Sequence, residues 1–386
     1  MMPPDSPQGR FTIRPGSIAI AALVLAPLSG FVPVGLGAGS STAPKAPTPA
    51  AAAANPSGAP SGRVSLTGRR VHVYNLAGRL EVLPGTGSSV QIEIEYGGRD
   101  ANKLDVQTPA GNGEPALIIR YPEDRIIYSE LPRGMRTSLR VGPDGRFGDD
   151  SWKSRLEEVE IRSSGEGLEA WADLKVRVPK GQKIALHLGV GEASLTNVDG
   201  EIFVDCAAAG VTASGMRGRF TVDTGSGTVQ VSDVEGLLSV DTGSGSVDIT
   251  QVKGPSVVVD TGSGSVSLSK VTAEELSVDT GSGSVELSEL SAPVVHVDTG
   301  SGWVKMGLLT TVEEVYVDTG SGSVEITAPA NLSATVSLET GSGDLESDFP
   351  LRILRKDSDS ISGTIGDGKG KIAVETGSGS VLIRRR

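Results

Sequence analysis

Residue types that build many functional sites are scarce in this chain of 386 residues. Aromatic residues make up 4% of it, and it has one cysteine, Cys206, and three histidines, His72, His187 and His296. A single cysteine excludes an intramolecular disulfide, so packing alone must hold the fold together. The histidines are far apart in the repeat register, and no group of His, Cys and carboxylate residues has metal-ligand spacing. The sequence therefore predicts no metal centre built from these residue types.

Positive charge is scarce in the second half of the chain. Between Phe220 and Gly343 there are 17 acidic residues and three lysines, and the whole chain has a formal net charge of −12. Such a region repels the phosphate backbone of DNA or RNA. We therefore expect no nucleic acid partner for it.

The N-terminal residues have the pattern of an export signal. Arg10 and Arg14 precede an apolar run over residues 18–36, and small residues follow it. We predict a signal peptide over residues 1–40 and an exported protein that is periplasmic, at the cell surface or secreted. Two prolines interrupt the run and argue against a spanning helix, although an uncleaved membrane anchor stays open as an alternative.

Composition divides the rest of the chain into three parts. Residues 41–63 are rich in Ala, Pro, Ser and Gly and predict a disordered linker. Residues 64–182 predict an irregular N-terminal β region, in which residues 122–167 form a charged surface insertion or a long loop. Residues 183–386 contain the repeats.

One pentapeptide dominates the repeat region. Asp-Thr-Gly-Ser-Gly begins at Asp223, Asp241, Asp260, Asp279, Asp298 and Asp318, and Glu-Thr-Gly-Ser-Gly begins at Glu339 and Glu375. A period this short is typical of one supersecondary unit per repeat, stacked on its neighbours. Apolar and polar residues alternate on both sides of each Gly-Ser-Gly turn, as they do in half-buried strands. The sequence predicts an all-β parallel β-solenoid (β-helix) of about 18–21 residues per rung.

Ten rungs can be set in register by their first inward residue. They begin near Ile184, Ile202, Phe220, Leu238, Val257, Leu276, Val295, Val315, Val336 and Ile372. Threonine of each motif faces inward, and Cys206 takes its place in one rung, which predicts a small buried substitute rather than a reactive thiol. Glycine permits the turn. The long gap over residues 344–371 replaces a rung and is predicted to cover the end of the stack, where an open edge would favour self-association.

The motif resembles an aspartic protease loop, but its arrangement excludes that activity. Such proteases need two Asp-Thr-Gly carboxylates face to face, whereas these motifs follow one another in a row. Each Gly-Ser-Gly is followed by a strand, not by the helix of a phosphate-binding loop. No base accompanies the repeated serines. We predict no catalytic residues.

The repeated acids allow two interpretations. If Asp223, Asp241, Asp260, Asp279, Asp298, Asp318 and Glu339 share one solvent-facing column, they form a candidate cation ladder. Neighbouring charges about 4.8 Å apart would repel by about 0.9 kcal/mol even in water, and calcium bridging is one compensation. The favoured alternative is that each Asp accepts hydrogen bonds from the amides of its own turn. No cofactor other than calcium is suggested.

Aromatic residues interrupt the Ser and Thr pattern at one place. His296, Trp303 and Tyr316 occupy outward positions in two adjacent rungs. Aromatic side chains on a flat polar face suit contact with a glycan or protein ligand. The competing interpretation is that the charged insertion, through Trp152, packs over Trp303.

Several segments together resemble a bacterial family of "putative adhesins", exported proteins with a domain of unknown function. The resemblance covers roughly residues 71–383 and rests on residues 73–82, on Leu174 to Gly181, on the Thr-Gly-Ser-Gly-Ser-Val series and on Ser347 to Pro350. It implies a right-handed parallel β-solenoid and supplies no catalytic residues. The charged insertion departs from the family's simpler pattern.

The sequence thus predicts an exported, non-enzymatic adhesin or cell-envelope scaffold that acts through a repetitive acidic Ser/Thr-rich surface. Its partner would be a surface or envelope component, either glycan or protein, and self-association through the solenoid ends is a further possibility. The alternatives are a carbohydrate-active β-helix enzyme, which would need functional groups that break the repeat, and a calcium-stabilised binding module.

Overall fold

The computed structural model describes residues 61–109, 114–148 and 156–386. The segment predicted as a signal peptide and nearly all of the predicted linker lie outside these residues. In the described part, the helical structure consists of one 3₁₀ turn, Ala101–Lys103, and no helix there is long and apolar enough to cross a membrane. The prediction of an all-β chain is confirmed for this part.

The N-terminal part of the fold contains two sheets. Its strands are β1 (Ser61–Leu66), β2 (Arg70–Gly85), β3 (Val90–Gly97), β4 (Asp105–Gln107), β5 (Ala116–Arg120), β6 (Arg125–Ile127), β7 (Arg136–Val141), β8 (Glu157–Arg162), β9 (Leu168–Glu169) and β10 (Trp171–Pro179). Strands β6 to β9 form a four-stranded sheet of their own, in the order β7-β8-β6-β9. The described residues of the predicted charged insertion therefore form a small sheet rather than a long loop.

The remaining strands build the repeats. They are β11 (Gln182–Thr196), β12 (Asp199–Ser226), β13 (Val229–Ser244), β14 (Val247–Ser263), β15 (Val266–Ser282), β16 (Val285–Leu290), β17 (Val294–Thr299), β18 (Val304–Leu308), β19 (Glu314–Thr319), β20 (Val324–Ala328), β21 (Ala334–Thr340), β22 (Leu345–Ser347), β23 (Leu351–Lys356), β24 (Ser360–Ile365), β25 (Gly370–Thr376) and β26 (Val381–Arg385). With β1 to β5 and β10 they form one large sheet of 22 strands.

The repeats stack as parallel coils in register. Val257 and Val259 pair with Leu276 and Val278 of the next coil, and each of the four is at most 1% exposed. Every second residue is thus buried. Burial of each large aliphatic side chain stabilises the fold by roughly 1.5–3 kcal/mol. The register predicted from the sequence is confirmed over these coils.

One more coil precedes those found in the sequence. Strand β2 pairs in parallel with β11, so that Val71 lies beside Ile184 and Leu80 beside Ala193. Part of the region predicted as irregular is therefore the first coil of the stack. Strands β3 to β10 separate this coil from β11 along the chain, so the regular spacing of the repeats did not extend to it.

The C-terminal end departs from chain order. Strand β25 pairs in parallel with β19 on one side and with β21 on the other, so the last coil lies between two earlier ones. The far edge of β21 pairs with β24 in antiparallel fashion, and β23 pairs with β24. The segment predicted to cover the end of the stack does so as this hairpin.

The small insertion sheet packs on the first coils. Its Ile126 and Ile161 share a hydrophobic core with Tyr74, Val190 and Ala208 of the coils, and each of these five residues is at most 5% exposed. This second core covers outward positions that are open to solvent in later coils.

Candidate functional site

The acids of the repeats form an in-register column on the outer face, which we call the carboxylate column. In spatial order its members are Asp205, Asp223, Asp241, Asp260, Asp279, Asp298, Asp318, Glu375 and Glu339. Their Cα atoms are about one strand spacing, ~4.8 Å, apart. The column predicted from the sequence is present, but Glu375 lies between Asp318 and Glu339 because the last coil is inserted there.

Each motif acid is followed by a threonine that faces the core. The Thr299 hydroxyl donates a hydrogen bond to the carbonyl oxygen of Gly283, on the preceding coil, at 3.1 Å. Thr242 and Thr261 are equally buried, but their hydroxyls have no hydrogen-bond partner among the described residues. The buried threonines fix the direction of the chain at the turn, so the adjacent carboxylates must face outward.

The turn amides do not bind the carboxylates. The amide of Gly245 donates to the carbonyl oxygen of Ser263 at 3.1 Å, and that of Gly264 donates to Ser282 at 3.1 Å. Because the next coil offers backbone acceptors in line with these amides, they continue the parallel ladder through the turn. The interpretation of each Asp as a hydrogen-bond acceptor within its own turn is therefore wrong for these coils.

The column accumulates uncompensated negative charge. Burial, followed by the charges of Asp205 and Asp241, raises the pKa of Asp223 to about 7. Burial also raises the pKa values of five further members, Asp241, Asp260, Asp279, Asp298 and Glu375. At each of these except Asp241, neighbouring acids add to the effect of burial. Among the described residues, no Lys or Arg forms an ion pair with a column member.

The end of the column that contains Glu339 forms the floor of an open cleft of about 780 Å³. Asp318, Glu375 and Glu339 line it from three consecutive coils, and the β23–β24 turn lines it from one side. The amide of Thr340 donates to the carbonyl oxygen of Asp359 at 2.9 Å and holds this turn beside the column. The cleft therefore combines stacked carboxylates with a fixed side wall.

The side wall adds charges of both signs. Arg355 Nε lies 2.6 Å from Asp357 Oδ2, and Asp357, Asp359 and Ser360 also line the cleft. Because Arg355 is already paired with Asp357, it leaves the three floor carboxylates uncompensated. The cleft is thus suited to a ligand that brings its own positive charge or many hydroxyl groups.

Two of the three predicted ligand-contact residues meet in the structure. His296 and Tyr316 are paired across adjacent coils, with ring centroids 6.4 Å apart. The Tyr316 hydroxyl donates to Asp318 Oδ2 at 3.4 Å and so connects this pair to the cleft floor. Trp303 lies beyond the turn, 46% exposed, and makes no ring contact with either residue.

The described part of the insertion does not cover Trp303. It packs on the first coils instead, and Trp152, the residue proposed to do so, lies outside the described residues.

Replacing Trp303 with serine is expected to leave the stability of the fold unchanged within about 0.5 kcal/mol, because the side chain is half exposed and its neighbours in register are serines. Thermal unfolding followed by circular dichroism measures this. A drop of several degrees in the midpoint would show that Trp303 packs against another part of the chain.

The other end of the column, at Asp205, contains a cluster that was not predicted from the sequence. His187 Nδ1 lies 2.8 Å from Asp205 Oδ2, and the His187 ring stacks on Tyr74 at 4.2 Å and lies 5.9 Å from His72. The expectation that the histidines lie far apart is wrong for His72 and His187, because β2 is a coil of the stack. Gly148 of the insertion covers the pair, since a Cβ there would stand 1.8 Å from Asp205 Oδ2.

Cys206 behaves as the sequence predicts. It is 2% exposed in the Asp205 coil, and burial raises the pKa of its thiol, with smaller contributions from Asp205 and Asp223. A buried thiol of this kind is inert.

Metal chelation finds no support in the geometry of the column. Within the described ranges, no group of three or more His, Cys, Asp or Glu side chains is arranged to hold a metal ion. Consecutive members come from separate coils and lie along a line, whereas calcium needs six to eight oxygen atoms around one point.

Calcium is therefore expected to shift the thermal midpoint no more than magnesium does at equal ionic strength, because both would only screen the column. Unfolding scans in calcium, magnesium and chelator measure this. A rise in midpoint that is specific to calcium would contradict it and favour the cation ladder.

The chain is similar, at low sequence identity, to several solved structures of bacterial proteins. A crystal structure described as a "putative cell adhesion protein" from Clostridium sporogenes is 12% identical, covering 85% of this chain and 100% of its own, with a TM-score of 0.21. A "putative adhesin" from Bacteroides fragilis is 12% identical over 84% of this chain and 97% of its own, at 0.34. A "putative lipid binding protein" from Parabacteroides distasonis is 9% identical over 84% and 96%, at 0.35.

No curated protein matches the chain. The family model described as Toastrack DUF4097 matches residues 170–384, which include the repeats. The resemblance to a family with a domain of unknown function, read from the sequence, is confirmed by this match. Since the match spans more than half of the chain, this protein belongs to the Toastrack DUF4097 family.

Proposed function

We propose that this protein is an exported, non-enzymatic adhesin or cell-envelope scaffold that attaches to a positively charged surface or envelope component through the carboxylate column. The observation that carries the proposal is the column itself, in which stacked carboxylates have no Lys or Arg partner among the described residues. Burial is the main cause of the raised pKa values in the column, and a cationic ligand would relieve the repulsion between neighbouring acids that adds to it.

The cleft is the part of the column that best fits a specific ligand. Its floor of Asp318, Glu375 and Glu339 accepts ammonium groups or sugar hydroxyls, and the rings of His296 and Tyr316 lie beside it. Aromatic faces attract cations and stack on the apolar faces of sugars. An amine-bearing polysaccharide, or the lysine side chains of a protein, matches this combination.

We also propose that the protein is exported and that its coil is right-handed. The N-terminal signal pattern supports export to the periplasm, the cell surface or the medium. The coil is taken as right-handed, because connections between parallel strands of one sheet are right-handed in nearly all folds.

Binding of the full chain to immobilised chitosan and polylysine, with neutral dextran as reference, tests the proposal. The column variant Asp279→Asn, Asp298→Asn and Asp318→Asn is expected to lose about tenfold or more in affinity for the cationic polymers, since close charge pairs contribute more than 1 kcal/mol each. The matched control Asp248→Asn, Glu274→Gln and Glu286→Gln removes three exposed acids outside the column.

Retention of affinity by the control together with loss in the column variant supports the proposal. Equal losses in both would mean that only overall charge matters, and absence of binding to either polymer would overturn the proposal.

A carbohydrate-active enzyme is the second candidate, and one observation favours it. Burial, and then Glu339 and Asp318, raises the pKa of Glu375 in the cleft, as is required of a general acid in glycoside hydrolysis. Incubation of wild type and Glu375→Gln with a panel of polysaccharides decides. Release of reducing ends by wild type that is lost in the variant would establish the enzyme, and no release by either would exclude it for that panel.

A further inference from the structure

The last coil of the chain occupies a slot between two earlier coils. We call residues 370–385, which comprise β25, its turn and β26, the C-terminal coil. Strand β25 lies between β19 and β21, and β26 lies between β20 and β22. The preceding coils, from β11 to β19, stack in the order of the chain.

The C-terminal coil is bonded on both edges. The amide of Val324 donates to the carbonyl oxygen of Ser380 at 2.9 Å, and that of Val381 donates to Asp344 at 2.9 Å. Its inward residues Ile372, Val374, Val381 and Ile383 are each 0% exposed. The coil is thus part of the core.

The slot recognises the repeat pattern rather than one particular segment. Both of its walls present the same alternation of inward aliphatic residues followed by threonine, as in Val315, Val317 and Thr319 of β19. Coil 334–347 cannot dock fully in its observed place until a C-terminal coil is present, because it makes its parallel ladder with that coil. The edge of β19 and β20, which forms one wall of the slot, is therefore open to solvent until a C-terminal coil docks.

A short link connects the C-terminal coil to β24. Residues 366–369 carry the chain around the start of β21, so that Ile365 and Gly370 lie on opposite sides of Ala334. The amides of Asp367 and Lys369 donate to Ser333 Oγ at 3.0 and 3.3 Å and hold the link closed. A link of four residues that reverses in this way releases the coil when it extends.

We propose that the C-terminal coil of a second copy also fills this slot, giving strand-exchanged dimers in which residues 366–369 are the hinge. The exchanged coil makes the same backbone hydrogen bonds and buries the same side chains as the native one, so only the hinge conformation and the entropy of association separate the two forms. The dimer joins two carboxylate columns in one particle. This inference does not depend on the proposed function.

Cross-linking between differently labelled full chains tests the exchange. Ser323 and Ser380 lie side by side across the slot, with the Ser380 amide 3.3 Å from Ser323 Oγ. One copy carries Ser323→Cys and the other Ser380→Cys, both with Cys206→Thr to remove the native thiol, and they are refolded together and oxidised. A disulfide between the two copies, increasing with protein concentration during refolding, is expected.

A single chain carrying both substitutions is the control, since it must close the same disulfide within itself. Closure in the control without any cross-link between copies, at every concentration, would overturn the proposal. Mixed dimers, with one copy of each variant, that form without this disulfide would overturn it as well, because they would indicate association through another surface.

A hinge variant provides an independent measurement. Gly368 has φ +70°, and a Cβ there would stand 2.7 Å from Thr364 Cγ2, so Gly368→Val strains the closed link. Sedimentation of refolded Gly368→Val is expected to show at least a severalfold larger dimer fraction than wild type. Gly87→Val, at a turn far from the hinge with φ +84° and open space, is the control. An unchanged dimer fraction in Gly368→Val would contradict the role of the hinge.

Discussion

Replacing Gly264 with alanine is expected to destabilise the fold by about 3 kcal/mol or more. A Cβ at this position would stand 2.1 Å from the carbonyl oxygen of Gly245 on the preceding coil, where no flexible side chain can move aside. The next coil places Gly283 in the same way against Gly264, at 2.0 Å. The coils can therefore approach to strand spacing at this corner only because neither residue has a side chain. Chemical denaturation followed by circular dichroism gives the free energy of unfolding.

Ser263→Ala is the matched control for this substitution. Ser263 is exposed in the same turn, and its side chain makes no hydrogen bond among the described residues, so its loss should change stability by less than about 0.5 kcal/mol. Equal stability of Gly264→Ala and wild type would show that the coils are farther apart at this corner than the structure has them.

Acidification from pH 8 to pH 5 is expected to stabilise the protein, contrary to the usual acid response. The pKa of Asp223 is about 7 in the folded chain against an ordinary value of 3.8, so between these two pH values the folded state binds a proton that the unfolded state does not. The contribution of Asp223 to stability is then fully present below pH 3.8 and is lost as the pH rises through about 7. The difference for this one group is on the order of 3 kcal/mol.

Other groups limit this gain at low pH. The pKa values of Glu201 and Asp100 are lowered, chiefly by hydrogen bonds from Lys183 and Lys103, so their contributions are lost as the pH falls through those values. The midpoint of thermal unfolding should therefore rise from pH 8 to about pH 5 and fall again below about pH 4.

Asp223→Asn separates the column from these other groups. It should raise the midpoint at pH 8 and flatten the rise between pH 8 and pH 5, because the uncompensated charge is gone. Asp248→Asn removes an exposed acid outside the column and should do neither. A wild-type midpoint that falls steadily from pH 8 to pH 5 would contradict this prediction.

The coils can be predicted from the sequence, but the order in which they stack cannot. Strict alternation, as in Val257 and Val259, determines which residues face inward, and the motif aligns one coil with the next. The repeats that begin at Glu339 and Glu375 have the same pattern, so either could follow the coil of Asp318. Only tertiary pairing decides that Glu375 does so.

Two features of the structure could not be predicted from the repeat pattern, one at the candidate site and one at the opposite corner of the coils. The His187–Asp205 cluster depends on β2 and on Gly148, which belong to segments without the motif. Five of the coils have, at the opposite corner, a non-glycine residue with φ between 51° and 57°, among them Lys270 and Glu289. Because such residues rarely adopt this conformation, nothing in their identity indicated the corner.

Titration of the Asp223 carboxyl carbon by NMR, assigned by its absence in Asp223→Asn, tests most directly whether the acids form one stacked, uncompensated column. The structure predicts a midpoint near pH 7, because burial and the carboxylates of Asp205 and Asp241 oppose ionisation. A midpoint near 3.8 would show an isolated, solvated acid and would contradict the column.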